Sequence, residues 1–164
     1  IPESSGSSAD FLPFRRRVGT GFPGTHVMPP FTAFKSSIPV RPDDIDMNRH
    51  VHNSKYNDYV LAARYDQMAR CYGMSMEAFL ERGLSWVVRA SYIEHKRPLH
   101  IGDTAEVETW VEEIASRSVK VGFQITKESD SKSVAKGWLD YVLVSLESGR
   151  PQALPADIIA TYSL

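Results

Sequence analysis

The chain has 164 residues, 42% of them hydrophobic, which is enough for one domain with one real core. Lys and Arg total 19 against 20 Asp and Glu, a formal net charge of -1 that excludes the basic excess of a duplex-binding protein. Cys71 stands alone, excluding an internal disulfide framework and any Cys-x-x-Cys pair, and no run reaches the roughly 18 consecutive apolar residues of a membrane helix. A soluble, cytoplasmic protein is expected, with neither nucleic acid nor membrane as a partner.

Residues 1–31 read as a flexible or irregular extension. The first ten are rich in Ser and Gly and offer little to bury against the entropy of ordering the backbone. Arg15, Arg16 and Arg17 follow, a solvated surface run or a contact for the phosphates of a nucleotide-bearing substrate. The run Gly19-x-Gly21-x-x-Gly24 mimics a dinucleotide fingerprint but follows no expected strand and opens no helix; His26 has no assigned role.

The domain is expected over residues 32–150. Phe34, Ile38 and Val40 mark a first strand before Pro42 and an acidic loop, Asp43 to Asp46. Ser54 is placed to cap a helix of about five turns with the stripe Tyr56, Tyr59, Val60, Ala63 and Gln67, ending before Gly73. Ser75 opens a short helix, Met76 to Arg82, that Gly83 terminates. Leu84 to Ile93 reads as a strand, and Pro98, Gly102 and Asp103 supply a turn. Ala105, Val107, Thr109 and Val111 then alternate with Glu106, Glu108 and Glu112, and Val119, Val121, Phe123 and Ile125 repeat the period. Residues 134–146 carry apolar side chains on both faces, as a strand paired on both sides does. Residues 151–164 are left as a C-terminal tail. Strand, long helix, short helix and four strands predict an α+β chain: one antiparallel sheet wrapped around one long central helix, the hotdog fold.

The chemistry is concentrated in Asp43, Asp44, Asp46, Asn48, His50, His52 and Asn53, between the first strand and the long helix. Unpaired N–H groups at a helix start polarise a carbonyl placed there, and a nearby carboxylate activates water or attacks directly. Asp and Asn are equally the residues of turns and caps, and His50 with His52 and Asp46 has the types of a metal site. Composition leaves the three readings open. Cys71, far from this loop, reads as a packed thiol, and His95 and His100 as solvent-facing residues beside a turn.

The run Asp44-Ile45-Asp46-Met47-Asn48-Arg49-His50-Val51-His52-Asn53, followed by Lys55-Tyr56, resembles the Asp-x-Asp-x-Asn-x-His-Val-x-Asn motif of plant acyl-ACP thioesterases and their bacterial hotdog relatives, including the 4-hydroxybenzoyl-CoA thioesterases. The resemblance extends to Arg64, Gly73 and Pro98-x-x-x-Gly102-Asp103, over about residues 33–146. It implies hydrolysis of an acyl-CoA or acyl carrier protein thioester, with Asp46 as base or nucleophile, Asn48 as hydrogen-bond partner and His50 as orienting group or proton shuttle. Asn53, Tyr56 and Tyr59 are the implied substrate contacts, and no metal or other cofactor is called for. Asp44, two residues away, is expected to matter little. The plant enzymes carry two such domains and this chain one, which implies a homodimer or higher homo-oligomer; His52 stands where the plant motif has a second Asn. A hotdog dehydratase or hydratase and a non-catalytic acyl-CoA-binding module are the competing functions.

Overall fold

The computed structural model describes residues 31–164, so the expectations for the tail, the Arg cluster, the glycine run and His26 lie outside the described residues. The elements run β1 (Phe34–Pro39), a 3-10 turn (Pro42–Asp44), α1 (Lys55–Arg70), α2 (Met76–Glu81), β2 (Leu84–His95), β3 (Thr104–Ile114), β4 (Ser118–Lys127), β5 (Ser133–Ser145) and α3 (Ala156–Tyr162). The strands form one antiparallel sheet in the order β1-β3-β4-β5-β2, with α1 against it, which is the expected α+β hotdog architecture.

α1 is 16 residues free of Gly and Pro and buries Tyr56, Tyr59, Val60, Ala63, Arg64, Gln67 and Met68. Its start differs from expectation in chemistry, not position. Ser54 makes no side-chain cap; its Oγ lies 2.8 Å from His52 Nδ1 instead. At α2 the cap is as expected, Ser75 Oγ accepting from the Ala78 N–H at 3.4 Å, and Gly83 takes the left-handed φ of 68° that ends the helix cheaply.

In β3, Ala105, Val107, Thr109 and Val111 are buried while Glu106 and Glu108 reach the other face. A register shift between Val111 and Glu113 then turns Ile114 inward, a bulge that the alternating pattern does not announce. β5 pairs with β4 on one side and β2 on the other, so its two apolar faces are explained. β2, rich in Trp, Val and Tyr, lies at the sheet edge with Val87, Val88 and Tyr92 exposed.

Two apolar clusters divide along α1. Around its first half pack Val51, Tyr56, Val60, Leu99, Phe123 and Ile125; around its second half pack Met68, Tyr72, Phe79, Val121, Leu143 and Ile158. The second cluster draws on the C-terminal segment, where α3 buries Ile158 and Tyr162 and Leu154 packs beside them. Cys71 is half-buried against the same cluster. Among the described residues no helix is long and apolar enough to cross a membrane.

Candidate active site

The acidic run folds into two structures with different duties. Pro42–Asp44 makes the 3-10 turn, and Asp44 closes it: its carboxylate accepts from the Arg41 N–H at 3.0 Å and the Arg41 guanidinium at 3.3 Å. The Tyr59 hydroxyl donates to it at 2.8 Å, and Lys55 Nζ lies 3.9 Å away. Asp44 is 1% exposed. Burial pushes its carboxyl pKa up, but the hydrogen bonds from the Arg41 backbone, Tyr59 and the Arg41 side chain together outweigh burial and hold it below the ordinary value. The cap reading therefore describes Asp44, a buried anchor between the turn and α1 rather than the bystander that the sequence implied.

Asp46 opens the second structure. A bridge between Ile45 and Val51 closes a tight loop, in which the Asp46 N–H donates to the His50 carbonyl at 2.9 Å and the Arg49 N–H to the Asp46 carbonyl at 3.0 Å. Arg49 takes a φ of 63°, the left-handed conformation that reverses the chain. Asp46 Oδ1 then accepts from the N–H groups of Asn48 at 2.8 Å and His50 at 3.4 Å. Oδ1 is thus fixed by the loop, and Oδ2 has no hydrogen-bond partner among the described residues.

The loop is tied to the turn after β2. The Val51 N–H donates to the Leu99 carbonyl at 2.8 Å, and the Leu99 N–H donates to the Tyr56 hydroxyl at 3.2 Å. Between loop, turn and the first residues of α1 lies an open cleft of about 550 Å³. Asp46, Asn48, His50, Asn53 and Tyr56 all line it, so five of the six expected site residues are brought together. Tyr59 is elsewhere: its ring is buried, 3% exposed, and its hydroxyl is spent on Asp44.

The cleft also takes His52, His95, Lys96 and Arg97. His95 sets its ring edge-on to Tyr56, centroids 4.8 Å apart, and His100 stands edge-on to His50 at 5.0 Å. Both outer histidines are exposed, as expected, but the antiparallel return of the sheet brings them beside a loop some 45 residues earlier, a neighbourhood no local spacing reveals. Lys96 and Arg97 give this rim positive charge. Among the described residues no group of three or more His, Cys, Asp or Glu side chains is placed to hold a metal ion.

The chain is similar to known proteins. Residues 40–161 match the family model described as the thioesterase-like superfamily. The long-chain acyl-CoA thioesterase FadM of Escherichia coli strain K12 is 23% identical over 124 residues, covering 76% of this chain and 92% of its own. The acyl-CoA thioester hydrolase YbgC of Escherichia coli O6:H1 is 24% identical over 131 residues, covering 80% of this chain and 96% of its own. A DHNA-CoA thioesterase from Staphylococcus aureus superimposes with a TM-score of 0.75 at 19% identity, over 80% of this chain and 89% of that one, which speaks for the fold. A match that spans the Asp46 loop, α1 and strands β2 to β5 makes this chain a member of the thioesterase-like superfamily.

Proposed function

We propose that the protein is an acyl-CoA thioesterase in which Asp46 activates the attack on the thioester carbonyl. The observation that carries the reading is the carboxylate itself: Oδ1 is held by two backbone N–H groups, Oδ2 has no hydrogen-bond partner among the described residues, and Asp46 lines the cleft at the start of α1. As a base, Asp46 takes a proton from water, the hydroxide adds to the carbonyl carbon, the C–S bond breaks and the departing thiolate is protonated. As a nucleophile, Asp46 adds to the carbonyl carbon, the C–S bond breaks to release the thiolate, and water then opens the mixed anhydride to the free acid and the regenerated Asp46 carboxylate. In either route the N–H groups of the first turn of α1 that follow Lys55, whose own N–H donates to the His52 carbonyl at 2.9 Å, stabilise the oxyanion. Asn48 and His50 flank the carboxylate as hydrogen-bond partner and proton shuttle, and Tyr56 and Asn53 border the acyl thioester.

Coenzyme A fits the rim, because Lys96 and Arg97 put two cations where its phosphates pass. The curated relatives named above carry acyl-CoA in their names, which favours this carrier over a carrier protein. The working unit in this reading is a homodimer joined along β2. That strand is 12 residues long, lies at an edge and exposes Val87, Val88 and Tyr92, a surface that a second copy would cover.

Thiol release from short, medium, long and aromatic acyl-CoA esters tests the proposal, with EDTA present and light scattering run alongside. Turnover of at least one class by a dimer in EDTA is expected. No thiol release from any ester would overturn it, and activity lost to EDTA and restored by zinc would move the chemistry to a metal.

A further inference from the structure

Arg64 sits on α1 at 6% exposure, and its one hydrogen bond among the described residues runs from Nη1 to Thr109 Oγ1 at 3.1 Å. No carboxylate among the described residues pairs with it. Its guanidinium carbon lies 5.3 Å from the Tyr72 ring centroid and 6.0 Å from that of Tyr162, contacts that ease the charge without supplying an acceptor. A guanidinium offers five N–H donors and accepts nothing, so burying one in this state is strongly unfavourable unless something completes it.

Two more donors stand nearby. The hydroxyls of Tyr141 and Tyr162 are buried and have no partner among the described residues. Burial pushes both phenols up, Tyr141 to about 12, while the positive charge of Arg64 pulls each back. All three residues line one partly enclosed cavity of about 180 Å³, whose other walls include Leu61, Met68 and Trp86. The cavity is thus a largely apolar chamber with donors in its wall, and the group that satisfies them is an acceptor with negative charge. A carboxylate meets the planar guanidinium with two oxygens and leaves lone pairs for the phenols.

The chamber lies further along α1 than the cleft. Leu61 and Met68 lie five and twelve residues beyond Tyr56, so at a rise of about 1.5 Å per residue the chamber begins about 8 Å along α1 from the cleft and ends about 18 Å along it.

We propose that this cavity binds the carboxylate end of an apolar chain and that, in a thioester substrate, it selects acyl groups that terminate in a carboxylate; the second clause rests on the thioesterase reading. Calorimetric titration of the intact chain with hexanoate, hexanol and hexylammonium tests the first clause without any hydrolysis. Hexanoate is expected to bind at least about tenfold more tightly than hexanol, the size of one charge-assisted hydrogen bond, with no binding of the amine. Arg64→Met should erase the preference. Where that variant fails to fold, the pair Tyr141→Phe and Tyr162→Phe decides, with the preference reduced about fivefold and the melting temperature held. Equal binding of hexanoate and hexanol, or a preference unchanged in the folded variants, would overturn the site. The second clause is read as kcat/KM for the mono-CoA thioester of octanedioic acid against octanoyl-CoA, expected about tenfold in favour of the diacid and equal in Arg64→Met. Carboxylate binding without hydrolysis of any thioester upholds the cavity and removes the thioesterase reading. Hydrolysis of octanoyl-CoA with no carboxylate preference removes selection by the cavity and leaves that reading intact.

Discussion

At its first turn α1 meets an open, polar cleft, and two turns later the same helix lines a partly closed, apolar chamber. In the cleft the important groups come from adjacent positions: Asp46, Asn48 and His50 are held by one another's backbones. In the chamber Arg64, Tyr141 and Tyr162 come from α1, β5 and α3, the two phenols held by packing and Arg64 by packing and one hydrogen bond to Thr109. A reacting carboxylate needs fixed orientation, which a short loop supplies through its own N–H groups. A selective pocket needs volume and an unmatched charge, which only distant elements can assemble. The same contrast separates the two neighbouring carboxylates: Asp44 is used up by the fold, while Asp46 is left with an open oxygen.

The sharpest way to break that contrast is to exchange what the two carboxylates are asked to do. Asp44→Ala should cost about 1–3 kcal/mol of stability, because it takes the buried acceptor away from the Tyr59 hydroxyl and the Arg41 N–H, while the exposed Arg41 guanidinium returns to water. Urea unfolding at neutral pH measures it, and a loss under about 1 kcal/mol would return Asp44 to the role of an ordinary turn residue.

Acid sharpens the point more gently. The folded-state pKa of Asp44 lies below its unfolded value near 3.8. Its contribution is therefore fully present above about pH 4 and is lost as pH falls through the folded value, since the unfolded chain then binds the proton first. Unfolding midpoints of the intact chain and Asp44→Asn should accordingly differ at pH 6 and converge towards pH 3. A constant difference would mean that the carboxylate's charge does not anchor the turn.

The smallest effect is expected at the other end of the helix. Tyr141→Phe removes a buried hydroxyl without a partner among the described residues, so the melting temperature should stay the same or rise slightly. A clear fall would reveal an acceptor already in place, and the chamber would no longer be waiting for one.

What the sequence disclosed follows the same division. The element order, the stripe on α1 and the alternation in β3 were legible because period and punctuation are local properties of the chain. The polar run from Asp43 to Asn53 was legible as a contiguous loop before the long helix, though not that Asp44 would be buried and Asp46 would line a cleft, since that depends on Tyr59 arriving from the next helix. The position of β2 at an edge was hidden because its apolar residues read like those of any strand. The C-terminal segment gave no sign of its part in the core: Ile158 and Tyr162 are buried by a helix of only seven residues, too short for a periodic signal. Arg64 belonged to the resemblance, but its burial without a carboxylate became visible only when β5 and α3 closed around it.

The central claim is that chemistry belongs to Asp46 and structure to Asp44, and turnover measured beside thermal melting in Asp46→Asn and Asp44→Asn addresses it most directly. The account predicts that Asp46→Asn loses about 100-fold to 10,000-fold in acyl-CoA turnover while melting like the intact chain, and that Asp44→Asn melts lower but hydrolyses at a comparable rate while folded. An Asp46→Asn variant that melts lower and still hydrolyses at the full rate would contradict it.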